Sequence, residues 1–356
     1  MFSYIKKFRA MIKYFEWSFG ILVAGMCLAF WRGESTAEGL GFSFLLTAMV
    51  ISILEVSLSF DNAVINATKL EKMTPKWRQR FLTWGIAIAV FGMRFVFPII
   101  IVAIFAEIPC RTVLDLALHN PDEYARHLEE ANVGISSFGG AFLMMLFFEF
   151  MFDKDKSLNW ISLPEKALKK IGKVRFAPTI LTALILALTQ LALTPHERIL
   201  SIVAGIFGIV IHLSIHTISQ KLEKLAGQNN KFALKHAGLA AFIYLELIDA
   251  SFSLDGVLGA FALTKDVVVI AIGLAVGAFF VRSLTLILVE KKTLDKLLYL
   301  THGAYWAIGA LATIMFIATF HEIPEAVTGT LGMVLILASL VSSIRYNLKH
   351  AKINGK

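Results

Sequence analysis

The sequence predicts an all-α fold, a polytopic transmembrane helical bundle of about ten spans, and three observations carry that prediction. Of 356 residues, 57% are hydrophobic and 17% charged, with a mean hydropathy of +0.71; soluble domains run at about 45–50% and 25%. Apolar runs near the ~20 residues that a spanning helix needs recur along the chain. A charged segment inside one such run is repeated inside another. This composition excludes a disordered chain, a collagen-like chain and a disulfide-stapled scaffold.

The predicted spans, in order, are 17–31, 41–66, 81–106, 134–152, 177–194, 199–218, 237–263, 267–289, 300–320 and 326–345. The basic, amphipathic stretch Met1–Trp17 precedes the first. Trp31-Arg32-Gly33-Glu34 lacks the small-x-small pattern of a cleavage site, so the first run is expected to stay as a helix. The fifth and sixth, divided only by Thr194-Pro195-His196-Glu197-Arg198, can also form a re-entrant pair. Cys27 lies in an apolar run and Cys110 just after one; neither a disulfide nor a CxxC or Cys/His zinc pattern is expected. The whole chain, 1–356, is read as a single transmembrane domain.

Charge orients the bundle. With the N-terminus inside, 27 of the 34 Lys and Arg fall in the segments 1–16, 67–80, 153–176, 219–236, 290–299 and 345–356. Five fall on the other side (Arg32, Arg111, Arg126, Arg198, Lys265), and Arg94 and Arg282 lie within spans. Such asymmetry follows the positive-inside rule, and predicts a multi-pass protein of the inner (cytoplasmic) membrane with both termini cytoplasmic. The net charge of +8 thus reports topology and contact with lipid headgroups, not a nucleic-acid partner. Glu107 to Asn132 is expected as an acidic outer loop.

Leu54-Glu55-Val56-Ser57-Leu58-Ser59-Phe60-Asp61 aligns without gaps on Ile248-Asp249-Ala250-Ser251-Phe252-Ser253-Leu254-Asp255, at an offset of 194. Each copy precedes a helix with one Arg, Arg94 or Arg282. Helices 2–4 (about 41–152) therefore correspond to helices 7–9 (about 237–320). Five spans separate the copies, so they cross in opposite senses: an inverted-topology repeat, which in transporters places substrate near the midplane.

An acid within a span costs at least ~2.5–3.5 kcal/mol and is generally functional. Glu55 and Asp249 fall near mid-membrane; Asp61 lies nearer the cytoplasm and Asp255 nearer the outside. Ser57 and Asp61 are i,i+4, as are Ser251 and Asp255, so each serine shares its aspartate's face. Glu55 and Asp61 are i,i+6, about 120° apart. Either the helices unwind near these residues, or each ligand set is completed by the other repeat. Asn62 adds an amide oxygen; Gly256 stands at its place in the second copy, supplying no ligand but able to loosen the helix. Carboxylate, hydroxyl and amide oxygens without thiolate suit hard divalent ions such as Mg, Ca or Mn. Arg94 and Arg282 can balance the acids when no ion is bound.

Other polar residues carry less. Glu149 and Glu246 stand near helix ends, where snorkelling accounts for them. His212 and His216 are i,i+4, without an evident third ligand. His302 opens a helix and is expected to make a helix-end hydrogen bond. His321-Glu322-Ile323-Pro324-Glu325 reads as a solvated turn.

At the repeated acids the chain resembles the TerC family of integral membrane proteins, within the wider LysE-like transporter group. The resemblance spans roughly residues 41–320 and rests on Glu55-Val56-Ser57-Leu58-Ser59-Phe60-Asp61-Asn62 paired with Asp249-Ala250-Ser251-Phe252-Ser253-Leu254-Asp255. It implies Mn(II) export with Glu55, Asp61, Asn62, Asp249 and Asp255 as metal residues. Many members follow the second Asp with Ser and a nearby Pro, where this chain has Gly256-Val257-Leu258. The transported ion is the substrate; no permanently bound cofactor and no enzymatic activity are expected, and a homo-oligomer is compatible with the sequence. The Gly-x-Gly-Asp signature of intramembrane aspartyl proteases and the Gly-x-x-x-x-Gly-Lys-Ser/Thr nucleotide loop are both absent. The alternative function is a scaffold in a tellurite-resistance or envelope-stress complex.

Overall fold

The computed structural model describes residues 13–85, 87–105, 107–153, 156, 158–174, 176–226, 231–290, 297–321 and 323–354. Among them every regular element is helical. The chain runs α1 (Glu16–Thr36), α2 (Gly41–Leu58), α3 (Phe60–Lys72) and α4 (Pro75–Arg80), then π-helical Phe81–Gly85 and Ile88–Val96 into α5 (Phe97–Phe105). It continues with α6 (Cys110–His119), α7 (Pro121–Phe152), α8 (Ser162–Ile171), α9 (Ala177–Thr189) and α10 (Pro195–Ala226). The last four are α11 (Lys231–Leu263), α12 (Val267–Glu290), α13 (Leu300–Ala318) and α14 (Glu325–Asn354).

Local sequence sets several of these boundaries. Pro75 and Pro121 begin α4 and α7, where a missing N–H is harmless and φ is already helical. Asp122 and Glu123 occupy the first turn of α7, at the positive end of its dipole. Ahead of α10, Glu197 takes hydrogen bonds from the Thr194 backbone N–H (2.9 Å) and hydroxyl (2.7 Å), in the manner of a capping box. Asp266 accepts from the Val268 and Val269 amides at 3.0 Å each, capping α12, and pairs with Arg32 of α1 at 3.0 Å.

Among the described residues six helical stretches are long and apolar enough to cross a membrane: Gly41–Leu58, Pro121–Phe152, Pro195–Leu222, Val267–Glu290, Leu300–Ala318 and Thr330–His350. Pro75–Gly85 with Ile88–Ile104, bent by 43°, makes a seventh if taken as one span. The 21-residue α1 and 33-residue α11 cover two more of the predicted windows and carry charged residues along their length. The fifth window is shorter than expected. Its helix, α9, has 13 residues, about 20 Å at ~1.5 Å per residue, against a hydrocarbon core of ~30 Å. The expected loop from Glu107 to Asn132 is also corrected, being mostly helix in α6 and the start of α7. Its two prolines sit at or just before helix starts, where they do not interrupt.

Helix α7 is central, with 83% of its apolar window buried, whereas α14 with 17% is peripheral. Around α7 pack α10, α13 and α11, and α12 lies against α1, α2 and α3. Helices α2 and α12 approach closely because Gly273 and Gly277 face Ile51 and Glu55. A Cβ on either glycine would come within 2.7 or 2.5 Å of those side chains. Exposed apolar side chains such as Ile180, Leu184 and Leu188 on α9, and Val334, Leu337 and Val341 on α14, form the rows expected to meet lipid.

Candidate cation site

The first repeated segment unwinds and the second does not. Helix α2 ends at Leu58 and α3 begins at Phe60, with Ser59 between them at φ −99°, ψ +13°. Helix α11 runs unbroken from Lys231 to Leu263. Glu55 stands one turn before the break, and Asn62 and Asn66 follow it one turn apart.

Glu55 is 1% exposed. Its Oε1 accepts from the Ser59 hydroxyl at 2.8 Å and from the Arg94 guanidinium, a buried ion pair. Arg94 also donates to the Ala89 carbonyl at 2.6 Å. Across the site, Asp249 Oδ1 accepts from the side-chain amides of Asn62 and Asn66, the latter at 3.1 Å. The carbonyl oxygens of both asparagines are buried with no hydrogen-bond partner among the described residues. A cavity of about 50 Å³ is lined by Ser59, Asn62, Asn66, Arg94, Asp249 and Arg282. The Arg282 Nη1 atom has no partner among the described residues. Each repeat thus contributes a carboxylate and an arginine to one neighbourhood.

Gly256 belongs to this site for a steric reason. A Cβ there would lie 2.7 Å from Glu55 Oε2, so α11 passes the carboxylate closely only because the residue is glycine. Room for Glu55, not a loosened helix, is what it provides.

Not every expected ligand joins the cavity. Asp61 is buried, and its Oδ1 accepts from the Asn62 backbone N–H at 2.8 Å. Its Oδ2 points toward Gly332 of α14, 3.7 Å from a Cβ built there. Ser57 donates to the Ile53 carbonyl and Ser251 to the Leu247 carbonyl, both at 2.9 Å, within their own helices. The Asp255 side chain lies outside the described residues. Asn66 is new to the site, Ser59 of the repeated segment gains a role, and Glu246, expected to snorkel, is buried instead. Asn66 is one turn beyond Asn62, a spacing that points to it; Ser59 occupies the break. Glu246, one turn before Asp249, is 6% exposed with neither carboxylate oxygen hydrogen-bonded among the described residues.

A second cavity, about 580 Å³, opens where α7 begins, lined by Asp122, Arg126, Glu129, Asn132 and Lys265 and reaching Leu58 beside the helix break. Outside the spans, Glu165 of α8 is fully buried and ties α8 to α13. It accepts from Lys156 (2.8 Å), the Trp160 and Ile161 amides, His302 and Trp306 (3.1 Å each). Burial opposes its charge, yet the bonds from His302, Lys156, Ile161 and Trp306 outweigh that and hold its carboxyl down at about 2. His302 therefore bonds a side chain, not a helix end.

Fold and site together define a polytopic helical membrane protein with a buried, charged cavity where its two repeated segments meet. More narrowly, the chain belongs to the family described as "Protein of unknown function (DUF475)", whose profile matches residues 60–350. It is 30% identical over 139 residues to the "Uncharacterized membrane protein YceF" of Bacillus subtilis (strain 168), across 38% of this chain. The alignment takes in 52% of that protein, so the chain spans about half the length of this curated relative. No solved structure matches.

Proposed function

We propose that the protein carries a hard divalent cation, Mn(II) above others, across the cell membrane, with the ion held between the α2–α3 break and α11. One observation carries this reading. Two buried amide oxygens, Asn62 Oδ1 and Asn66 Oδ1, lack partners among the described residues, near the carboxylates of Glu55 and Asp249. Unpaired buried acceptors are costly, and a hard cation satisfies oxygens of this kind.

In the structure described, Arg94 occupies Glu55 and the two amides occupy Asp249. An arriving ion would compete with Arg94 for Glu55, while rotation of the amides would turn their oxygens inward. The ion's two positive charges then balance Glu55 and Asp249, which Arg94 and Arg282 together balance in its absence. Glu246, a buried carboxylate one turn before Asp249 with no hydrogen-bond partner among the described residues, is the group we assign to carry a counter-moving proton. The wider cavity, whose polar lining reaches Leu58 next to Ser59 of the site, is the approach we assign to the ion on one side. The resemblance to TerC proteins supports export as the direction, and the chain works as a carrier rather than an enzyme.

Thermal unfolding of the purified protein in detergent tests the reading. At 100 times its dissociation constant, a ligand specific to the folded state stabilises by about 2.7 kcal/mol, roughly 5 °C for a chain of this size. Mn(II) is expected to give such a shift, Mg(II) and Ca(II) a smaller one, and Asp249→Asn none. A wild-type protein indifferent to Mn(II), or a shift that survives Asp249→Asn, would overturn it; the scaffold role would then gain ground.

A further inference from the structure

The two histidines of α10 have a third ligand after all. His212 and His216 lie one turn apart, their rings 8° from parallel with centroids 6.1 Å apart. Glu149 of α7 stands opposite both. His212 Nε2 is 2.9 Å from Glu149 Oε2, and His216 Nδ1 is 2.7 Å from Glu149 Oε1. One ligand atom from each of the three residues lies within 4.8 Å of the others. The contact joins residues 63 apart in sequence, so helical spacing could find the histidines but not the acid.

We propose that Glu149, His212 and His216 form a divalent transition-metal site, separate from the oxygen-lined cavity and of a different chemical class. Two imidazole nitrogens and one carboxylate select Zn(II), Co(II), Ni(II) or Fe(II) over Mg(II) or Ca(II). Three protein ligands leave a fourth position for water.

The geometry suits the exchange. Each histidine turns one nitrogen toward its own carboxylate oxygen, and a metal binds those same atoms once each ring proton sits on the ring's other nitrogen. Bonds of about 2.0–2.2 Å put tetrahedral ligand atoms roughly 3.3 Å apart, so the present contacts need widen by only about half an ångström. The surroundings already orient the rings. Gln220 Nε2 is 2.7 Å from His216 Nε2; once a metal holds Nδ1 the ring proton sits on Nε2, and a half-turn of the Gln220 amide brings its oxygen to accept it, the outer contact that ligating histidines make. Phe142 and Tyr244 flank the His212 ring at 5.3 and 6.0 Å. His212 is 2% exposed in its side chain, but His216 and Glu149 are 29% and 30% exposed, leaving a path inward. The alternative, two neutral histidines donating to a carboxylate, has the same empty geometry and differs in binding no metal.

Co(II), which reports nitrogen and oxygen ligation in its visible absorption, is the probe. Purified full-length protein, freed of metal with chelator, is titrated with CoCl2 and then with ZnCl2. One Co(II) per chain is expected, with visible bands of a four- or five-coordinate site that Zn(II) abolishes. His216→Gln, at the more open position, and His212→Gln should each weaken binding by at least about 100-fold, since even supporting groups cost 10–100-fold. Asp249→Asn should retain the bands, separating this site from the central one. Unfolding temperatures without metal establish that each variant is folded. Absence of the bands from wild-type protein, their persistence in folded His216→Gln, or their loss in folded Asp249→Asn would each overturn the proposal.

Discussion

Removing one member of the Glu55–Arg94 pair is the perturbation whose size the structure determines best. The side chains are 1% and 8% exposed, and each has little else to hold it. Without Glu55, the Arg94 guanidinium retains the Ala89 carbonyl, while its Nε has no partner among the described residues. Without Arg94, Glu55 retains the Ser59 hydroxyl. Breaking a buried pair this way costs about 3–5 kcal/mol, because the remaining charge is uncompensated. At about 2 °C per kcal/mol for a large chain, Glu55→Ala and Arg94→Ala should each lower the melting temperature by roughly 6–10 °C. The double replacement Glu55→Met with Arg94→Met removes both charges and fills the space; it should melt within roughly 2 °C of wild type while losing its response to Mn(II). Thermal unfolding of these proteins, with the single Glu55→Met and Arg94→Met variants beside them in one detergent, closes the cycle and gives the coupling directly. Single variants within about 1 kcal/mol of wild type, or a double variant that costs the sum of the singles, would refute the argument.

Further outcomes follow from the same geometry. Gly277→Ala places a Cβ 2.5 Å from Glu55 Cβ and Cγ and 3.0 Å from the Ser52 carbonyl; it should destabilise by about 1–3 kcal/mol, read as a lowered melting temperature, and any stabilisation would contradict the packing. Asn66→Ala should raise the Mn(II) concentration for half-maximal thermal stabilisation by roughly tenfold, the scale of a lost supporting group. Glu246→Gln should leave Mn(II) binding intact but make vesicle flux insensitive to an imposed pH gradient; flux that still follows the gradient would exclude Glu246 as the proton carrier. Glu165, held at about 2 against an ordinary 4.5, contributes stability that is complete above pH 4.5 and is lost as pH falls toward 2. Glu165→Gln should lower the melting temperature at pH 7 and flatten its decline between pH 4.5 and 3.

Much of this arrangement was legible in the residues, and what was not has physical causes. Composition and apolar run length identify a helical membrane bundle because lipid permits few alternatives for a backbone that must satisfy itself. Repetition of Glu55 and Asp249 at one offset pointed to residues that indeed lie in one neighbourhood. The break at Ser59 was foreseen only as one of two options, since Leu58-Ser59-Phe60 contains neither proline nor glycine. Ser57 turns back to the Ile53 carbonyl of its own helix. Asp61 instead faces α14, a long-range packing that no local pattern encodes. Glu149 meets His212 and His216 for the same kind of reason. Gly256, a departure in the second motif, makes sense only once Glu55 is seen against it.

The central claim is that a hard divalent cation crosses through the cavity lined by Asn62, Asn66 and Asp249, with Glu55 reached through its partners Ser59 and Arg94. Its most direct test is Mn(II) uptake into proteoliposomes of wild-type protein and of Asp249→Asn, reconstituted at equal density and with folding checked by melting temperature. Wild-type vesicles should take up Mn(II) saturably, and folded Asp249→Asn should fall to the rate of empty vesicles. Uptake by Asp249→Asn at the wild-type rate, or wild-type vesicles no faster than empty ones, would contradict it.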